Sequence, residues 1–245
     1  MALVGIEYPF DHVALIRLQD GKSNVLSKQL ISELNAHIQI CEESPHIRCM
    51  VLTGNEHVFS AGADLKELRD VQPETFPEND FITPWQRLSF FSKPSIVAAS
   101  GYVLGGGFEL ALMGDIIIAS ETAVFGFPEV TLDLLPGGGG TQRLARRVGQ
   151  GKALELCLTG NRLTAHEAFL AGIVNQVHSN YLQHGLEMAK KISTFGLHAL
   201  QAIKKSIMEG GDLPLSAGMA MERNLFYHLL QVGSYKSKIE TFFNK

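Results

Sequence analysis

The stretch that most constrains this chain is Gly101-Tyr102-Val103-Leu104-Gly105-Gly106-Gly107-Phe108-Glu109-Leu110. The apolar run Ser95–Ala99 before it reads as a buried strand, and Leu110–Met113 after it as a buried helix. Three glycines at a strand-to-helix turn let a ligand approach the backbone closely. A helix starting there aims free N–H groups and the positive end of its dipole at that ligand. Glu109 falls in the first turn of the same helix, so backbone donors and an acid/base group share a few residues. Taken alone, the stretch is equally a tight turn with a helix-stabilising glutamate.

The flanking pattern is α/β. Val13–Leu18 and Cys49–Thr53 read as strands, and Ser27 caps a helix running to about Glu43 between them. Val58 to Leu68 places small residues in a turn before a short helix, with Asp64 as its cap and Glu67 at capping-box spacing. Val71–Asp80 reads as a surface loop, and a helix follows to about Phe91. Further strands are expected at 116–119, 123–125 and 174–177. A second glycine-rich turn, Pro136 to Gly140, leads into a helix at Thr141-Gln142-Arg143, and Thr164 and Glu167 form a capping box. From Tyr181 onward the pattern is helical, including a helix from about Leu215 to Val232. Residues 1–195 are therefore expected to form the α/β core, and 196–245 a helical region suited to assembly.

Composition narrows the function. A net charge of −4 and a pI near 6.1 argue against a general nucleic-acid binder. Three cysteines, Cys41, Cys49 and Cys157, without paired spacing suggest a reducing compartment. No secretory pattern opens the sequence and no apolar run reaches a membrane span, so a cytoplasmic protein without membrane partners is expected. The glycine clusters fit neither the P-loop nor the dinucleotide fingerprint. Ser60 lacks the glycine of a nucleophile elbow, and no histidines stand at metal-ligand spacing, so no metal is expected.

Four segments carry a family resemblance: Phe59–Glu67, Gly101–Leu110, Phe125–Glu129 and Leu135–Arg143. In order and spacing they resemble the enoyl-CoA hydratase/isomerase (crotonase) superfamily, and within it the hydratases. The resemblance implies an α/β spiral of ββα units followed by helices used in homotrimers or dimers of trimers. It implies an acyl-CoA thioester substrate, with CoA part of that substrate and no separate cofactor. It maps an oxyanion hole to the N–H groups of Ala63 and Gly106, and the catalytic carboxylates to Glu109 and Glu129. Glu109 is expected to act as water base and Glu129 as proton donor. Ala61, Asp64, Leu65 and Lys66 are expected to line the CoA path, and Gly137 to support Glu129 or the water through its backbone. Phe127 departs from the polar residue some hydratases carry beside the acid, and 20–24 lacks the usual Arg-Pro. Besides hydration, the family admits an enoyl-CoA isomerase that would use Glu129 alone, and a non-catalytic or RNA-binding homologue.

Overall fold

The computed structural model describes residues 2–72, 74, 80 and 82–244. Most of the loop read at Val71–Asp80 therefore lies outside the described residues, as does Lys245. Twelve strands are described: β1 (Val4–Phe10), β2 (Val13–Leu18), β3 (Val25–Leu26), β4 (Cys49–Thr53), β5 (Val58–Ser60), β6 (Gly62–Ala63), β7 (Ser95–Ala99), β8 (Tyr102–Leu104), β9 (Ile116–Ala119), β10 (Val124–Gly126), β11 (Arg162–Thr164) and β12 (Gln176–Val177). The helices are α1 (Lys28–Glu43), α2 (Leu65–Arg69), α3 (Gly106–Met113), α4 (Gly140–Val148), α5 (Gln150–Thr159), α6 (Ala165–Leu170), α7 (Tyr181–Ser193), α8 (Leu197–Gly210), α9 (Leu215–Val232) and α10 (Tyr235–Phe243).

The strands divide between two main sheets, and the chain visits both on each turn. One sheet runs β1-β2-β4-β7-β9-β12; the other runs β11-β10-β8-β5, with β3-β6 as a separate pair. β4, β7 and β9 lie parallel in the first sheet, and β5, β8 and β10, which follow them in the chain, lie parallel in the second. Each pass thus contributes one strand to each sheet before a helix returns the chain, a spiral of ββα units. The parallel strands β2, β4, β7 and β9 of the first sheet are buried on both faces, as parallel sheets are. One face meets the main core with Phe59, Phe91, Phe108, Phe125 and Phe127; the other presents Val13, Val51 and Ile96 to Leu186 and Ala189 of α7. α1 turns Leu30, Ile31, Leu34 and Ile38 inward at helical spacing, each such side chain stabilising by roughly 1.5–3 kcal/mol.

Several elements differ from the sequence reading. β1 is a strand although Val4–Phe10 is mostly partly exposed and contains Pro9, which obscures alternation. Thr83–Phe90 is a 3-10 helix rather than an α-helix. α10 adds a helix after Val232 within the region read as helical. α8, α9 and α10 have no buried residue in the single chain. α8 is held to the core by Lys204, whose Nζ sits 2.9 Å from Asp115 and donates to the Lys93 carbonyl, and by Gln201 on Ser92. Among the described residues no helix is long and apolar enough to cross a membrane.

One buried polar residue ties the first turn of the spiral to the second. Asn24, at φ +45°, is fully buried. Its Nδ2 donates to the carbonyls of Val58 (3.2 Å) and Phe59 (3.0 Å), while its Oδ1 accepts from the Asp20 N–H at 2.8 Å. Its own carbonyl accepts from Ser60 Oγ at 2.7 Å, and Ser60 Oγ in turn accepts from the Gly62 N–H at 3.2 Å. The Ala61 N–H donates to the Ser23 carbonyl. The turn at 23–24 therefore sets the path of 58–62. Asn24→Ala would strand buried carbonyls and is expected to destabilise the protein by about 2–4 kcal/mol. Urea unfolding tests this, and an unchanged midpoint would show that the side chain is dispensable.

Candidate active site

Two short backbone segments meet at the centre of the molecule. Gly105 caps α3 at φ +53° and ψ −129°, so the Gly106 N–H opens the helix ahead of its hydrogen-bond ladder. The neighbouring segment is β6. A side chain on Gly62 would stand 3.0 Å from the Leu104 carbonyl and 3.2 Å from the Gly106 nitrogen. One on Gly106 would stand 3.4 Å from the Ala63 nitrogen and collide with the six-membered ring of Trp85. The amides of Ala63 and Gly106 are thus brought side by side because neither Gly62 nor Gly106 carries a side chain. Trp85, buried in the 3-10 helix, walls this place and lines a cleft with Leu26, Ala63, Asp64 and Leu68.

Glu109 stands one turn into α3 and is 2% exposed. Its Oε1 accepts from the Gly140 N–H at 2.7 Å. Its Oε2 lies 2.9 Å from where a side chain on Gly138 would begin, so the second glycine-rich turn lies directly on this carboxylate. Burial pushes the Glu109 carboxyl up; backbone donation from Gly140 and Gly138 and the nearby Arg143 charge pull it back. Phe127 stacks on Phe108 with centroids 4.6 Å apart and packs against Gly140, so the departure noted at this position builds the apolar floor beneath the Gly140 donor.

Glu129 has a different environment. It opens a 3-10 turn, Glu129–Leu132, that ends at Asp133 in the left-handed region. Its Oε1 lies 3.0 Å from the position a Gly105 side chain would take, so the carboxyl overhangs the start of α3. Its Oε2 is buried without a hydrogen-bond partner. Burial pushes its pKa up to about 7, aided by the Glu109 charge and opposed by its own backbone. The pair thus contains one carboxylate held by the second glycine-rich turn and one with a buried oxygen left without a partner, a separation suited to base and acid roles.

Of the other positions named from sequence, Asp64 caps α2, accepting from the Lys66 N–H at 2.8 Å. Glu67 does not close the expected box: its carboxylate accepts from the Lys28 N–H at 3.0 Å and joins α2 to α1. Ala61, Leu65 and Lys66 are exposed around the Ala63 segment. Gly137 is exposed beside Ile82; the glycine donors fall instead on Gly138 and Gly140, and on Glu109 rather than Glu129. Sequence reasoning missed Trp85, whose place beside Gly106 depends on a contact across 21 residues. It also gave no role to Arg143, whose Nη1 donates to the Gly138 carbonyl at 2.8 Å. Among the described residues no three His, Cys, Asp or Glu side chains cluster as metal ligands.

The enoyl-CoA hydratase/isomerase family profile matches residues 10–245. A relative named "Probable enoyl-CoA hydratase, mitochondrial" from Dictyostelium discoideum is 42% identical over 236 residues, covering 95% of this chain and 85% of the relative. The 2,3-dehydroadipyl-CoA hydratase of Escherichia coli K12 is 39% identical over 229 residues, covering 93% and 88%. A crystal structure of enoyl-CoA hydratase from Bacillus anthracis superposes with a TM-score of 0.93 at 34% identity, covering 99% of this chain and 96% of that one.

The Glu129 environment has a measurable cost. With the native pKa near 7 against an ordinary 4.5, the folded state binds the extra proton between those values. Stability therefore falls as pH rises from about 4.5 to 7, and the full cost persists above that. Glu129→Gln is expected to raise stability by about 1–3 kcal/mol at pH 8, allowing for partial exposure, and by almost nothing at pH 4. Thermal unfolding at both values checks this; a gain at pH 4 equal to that at pH 8 would contradict it.

Proposed function

Since the chain belongs to the enoyl-CoA hydratase/isomerase family, we propose that it is an enoyl-CoA hydratase, adding water reversibly to a trans-2-enoyl-CoA to give a 3-hydroxyacyl-CoA. The observation that carries this reading is the unequal pair of glutamates beside two adjacent backbone donors.

In the proposed reaction the thioester oxygen sits between the N–H groups of Ala63 and Gly106. Ionised Glu109 takes a proton from a water as its oxygen attacks Cβ. Negative charge moves onto the thioester oxygen, where each fixed donor contributes about 3–4 kcal/mol. Protonated Glu129 then delivers its proton to Cα. Water has been divided across the double bond, and Glu109 holds the proton that Glu129 has given up. Return of that proton resets the pair, whose titrations are coupled. Glu129 suits the donor role because its pKa near 7 leaves a protonated population at neutral pH. Glu109 suits the base role because the Gly140 N–H favours its charged form.

Ala61, Asp64, Leu65 and Lys66 are proposed to line the CoA path. The chemistry proposed needs no cofactor beyond the CoA of the substrate. A homotrimer or dimer of trimers is the proposed assembly, supported by the exposure of Ile207 (67%), Phe226 (56%) and Phe242 (75%) on the last three helices. Exposed apolar surface of this kind marks protein contacts.

The test is loss of the conjugated enoyl-thioester absorbance with crotonyl-CoA. Turnover is expected in wild type, with a fall of roughly a thousandfold or more in Glu109→Gln and in Glu129→Gln. Turnover of a 3-enoyl thioester that survives Glu109→Gln, without hydration of crotonyl-CoA, would replace this reading by the isomerase.

A further inference from the structure

Arg143 is oddly placed for a residue that only builds a helix. It sits in the first turn of α4, where a cation opposes the helix dipole. Its guanidinium is half-buried and turned back along the chain. Nη1 donates to the Gly138 carbonyl at 2.8 Å, and Cζ lies 3.1 Å from where a Gly139 side chain would begin. Gly139 itself is at φ +98°. The guanidinium thus lies against a turn at Gly139 whose positive φ favours glycine. Glu109 bonds that same turn, at Gly140.

We infer that Arg143 is a positioning residue that keeps Glu109 charged and aimed, so that the one proton shared by the two glutamates resides on Glu129. The inference rests on the hydratase reading, in which an ionised Glu109 activates water. Arg143 acts in two ways. Its bond to the Gly138 carbonyl fixes the turn that presents the Gly140 N–H, and its charge favours the carboxylate across that turn.

The charges that meet at Glu109 are few. Arg143 comes from α4, Glu129 from the turn after β10, and the Cys157 thiol from α5. Burial raises the Cys157 thiol, so it is neutral at working pH. Arg146, one turn along α4, is already paired with Asp212 at 3.3 Å. Arg143 is therefore the cation that faces Glu109, and its guanidinium cannot discharge to relieve its own burial. A planar fork also holds a peptide carbonyl in a fixed direction, which an ammonium does not.

The test uses the full chain with Arg143→Gln and Arg143→Lys. Carbon-13 NMR follows the Glu109 carboxyl, assigned by its loss in Glu109→Gln, without substrate. In Arg143→Gln the Glu109 titration is expected to move to higher pH, because removing an opposite charge disfavours the carboxylate. The acid limb of kcat/KM for crotonyl-CoA should move the same way. The rate loss should be roughly tenfold or more at pH 6 and shrink as pH rises, with KM little changed. Arg143→Lys keeps the charge but not the fork and should show a smaller displacement in the same direction. A Glu109 titration identical to wild type in Arg143→Gln, with a uniform rate loss at every pH, would overturn the inference. Should Arg143→Gln fail to fold, an unshifted titration in Arg143→Lys would overturn it instead. Absence of hydration by wild type would defeat the hydratase reading, while the NMR titration would still decide whether Arg143 controls Glu109.

Discussion

Everything at the centre of this molecule depends on two stretches of backbone lying against one another without side chains between them. Gly62 and Ala63 come from one turn of the spiral, Gly105 and Gly106 from the next. Their approach fixes where two amides point, and it is enforced from outside the contact. Asn24 and Ser60 hold the first stretch through buried hydrogen bonds. The Gly105 N–H, donating to the Gly126 carbonyl, holds the second against β10, the strand that leads on to Glu129. The spiral thereby makes neighbours of segments 43 residues apart in sequence, Gly62–Ala63 and Gly105–Gly106, across one small space.

The two carboxylates show how the same side chain is given different chemistry by its surroundings. Both are withdrawn from water, and burial raises both. What separates them is donation: a glycine N–H and an arginine serve Glu109, while Glu129 retains a buried oxygen without a partner. The second glycine-rich turn breaks that symmetry, with Gly138 and Gly140 buried against Glu109 and Gly140 packed on Phe127.

Long, strongly patterned elements were legible in the sequence. α1, β2, β4, β7 and β9 carry apolar periodicity that local burial dictates, and the Thr164–Glu167 box closes as its spacing requires. Ala63, Gly106, Glu109 and Glu129 were named through the resemblance of four segments, in order and spacing, to the crotonase superfamily. What was not legible depends on contacts between distant segments. β5, β6 and β8 have two or three residues each, too short for a period, and exist because neighbouring strands pair with them. Asn24 looks like any turn asparagine until Val58 and Phe59 are brought over it. Arg143 resembles an ordinary helix-surface arginine until the chain folds it over Gly139. The apolar residues of α8 and α9 gave the right helical period, yet none of them is buried in the single chain.

Trp85 is the only indole in the chain, and its ring touches the backbone of Gly106. The indole emission of the whole protein therefore originates beside the two amides at its centre. A change in polarity or contact there is read without labels, and without interference from a second chromophore of the same kind. The molecule carries its own spectroscopic window on the one place where its sequence leaves no room for a side chain.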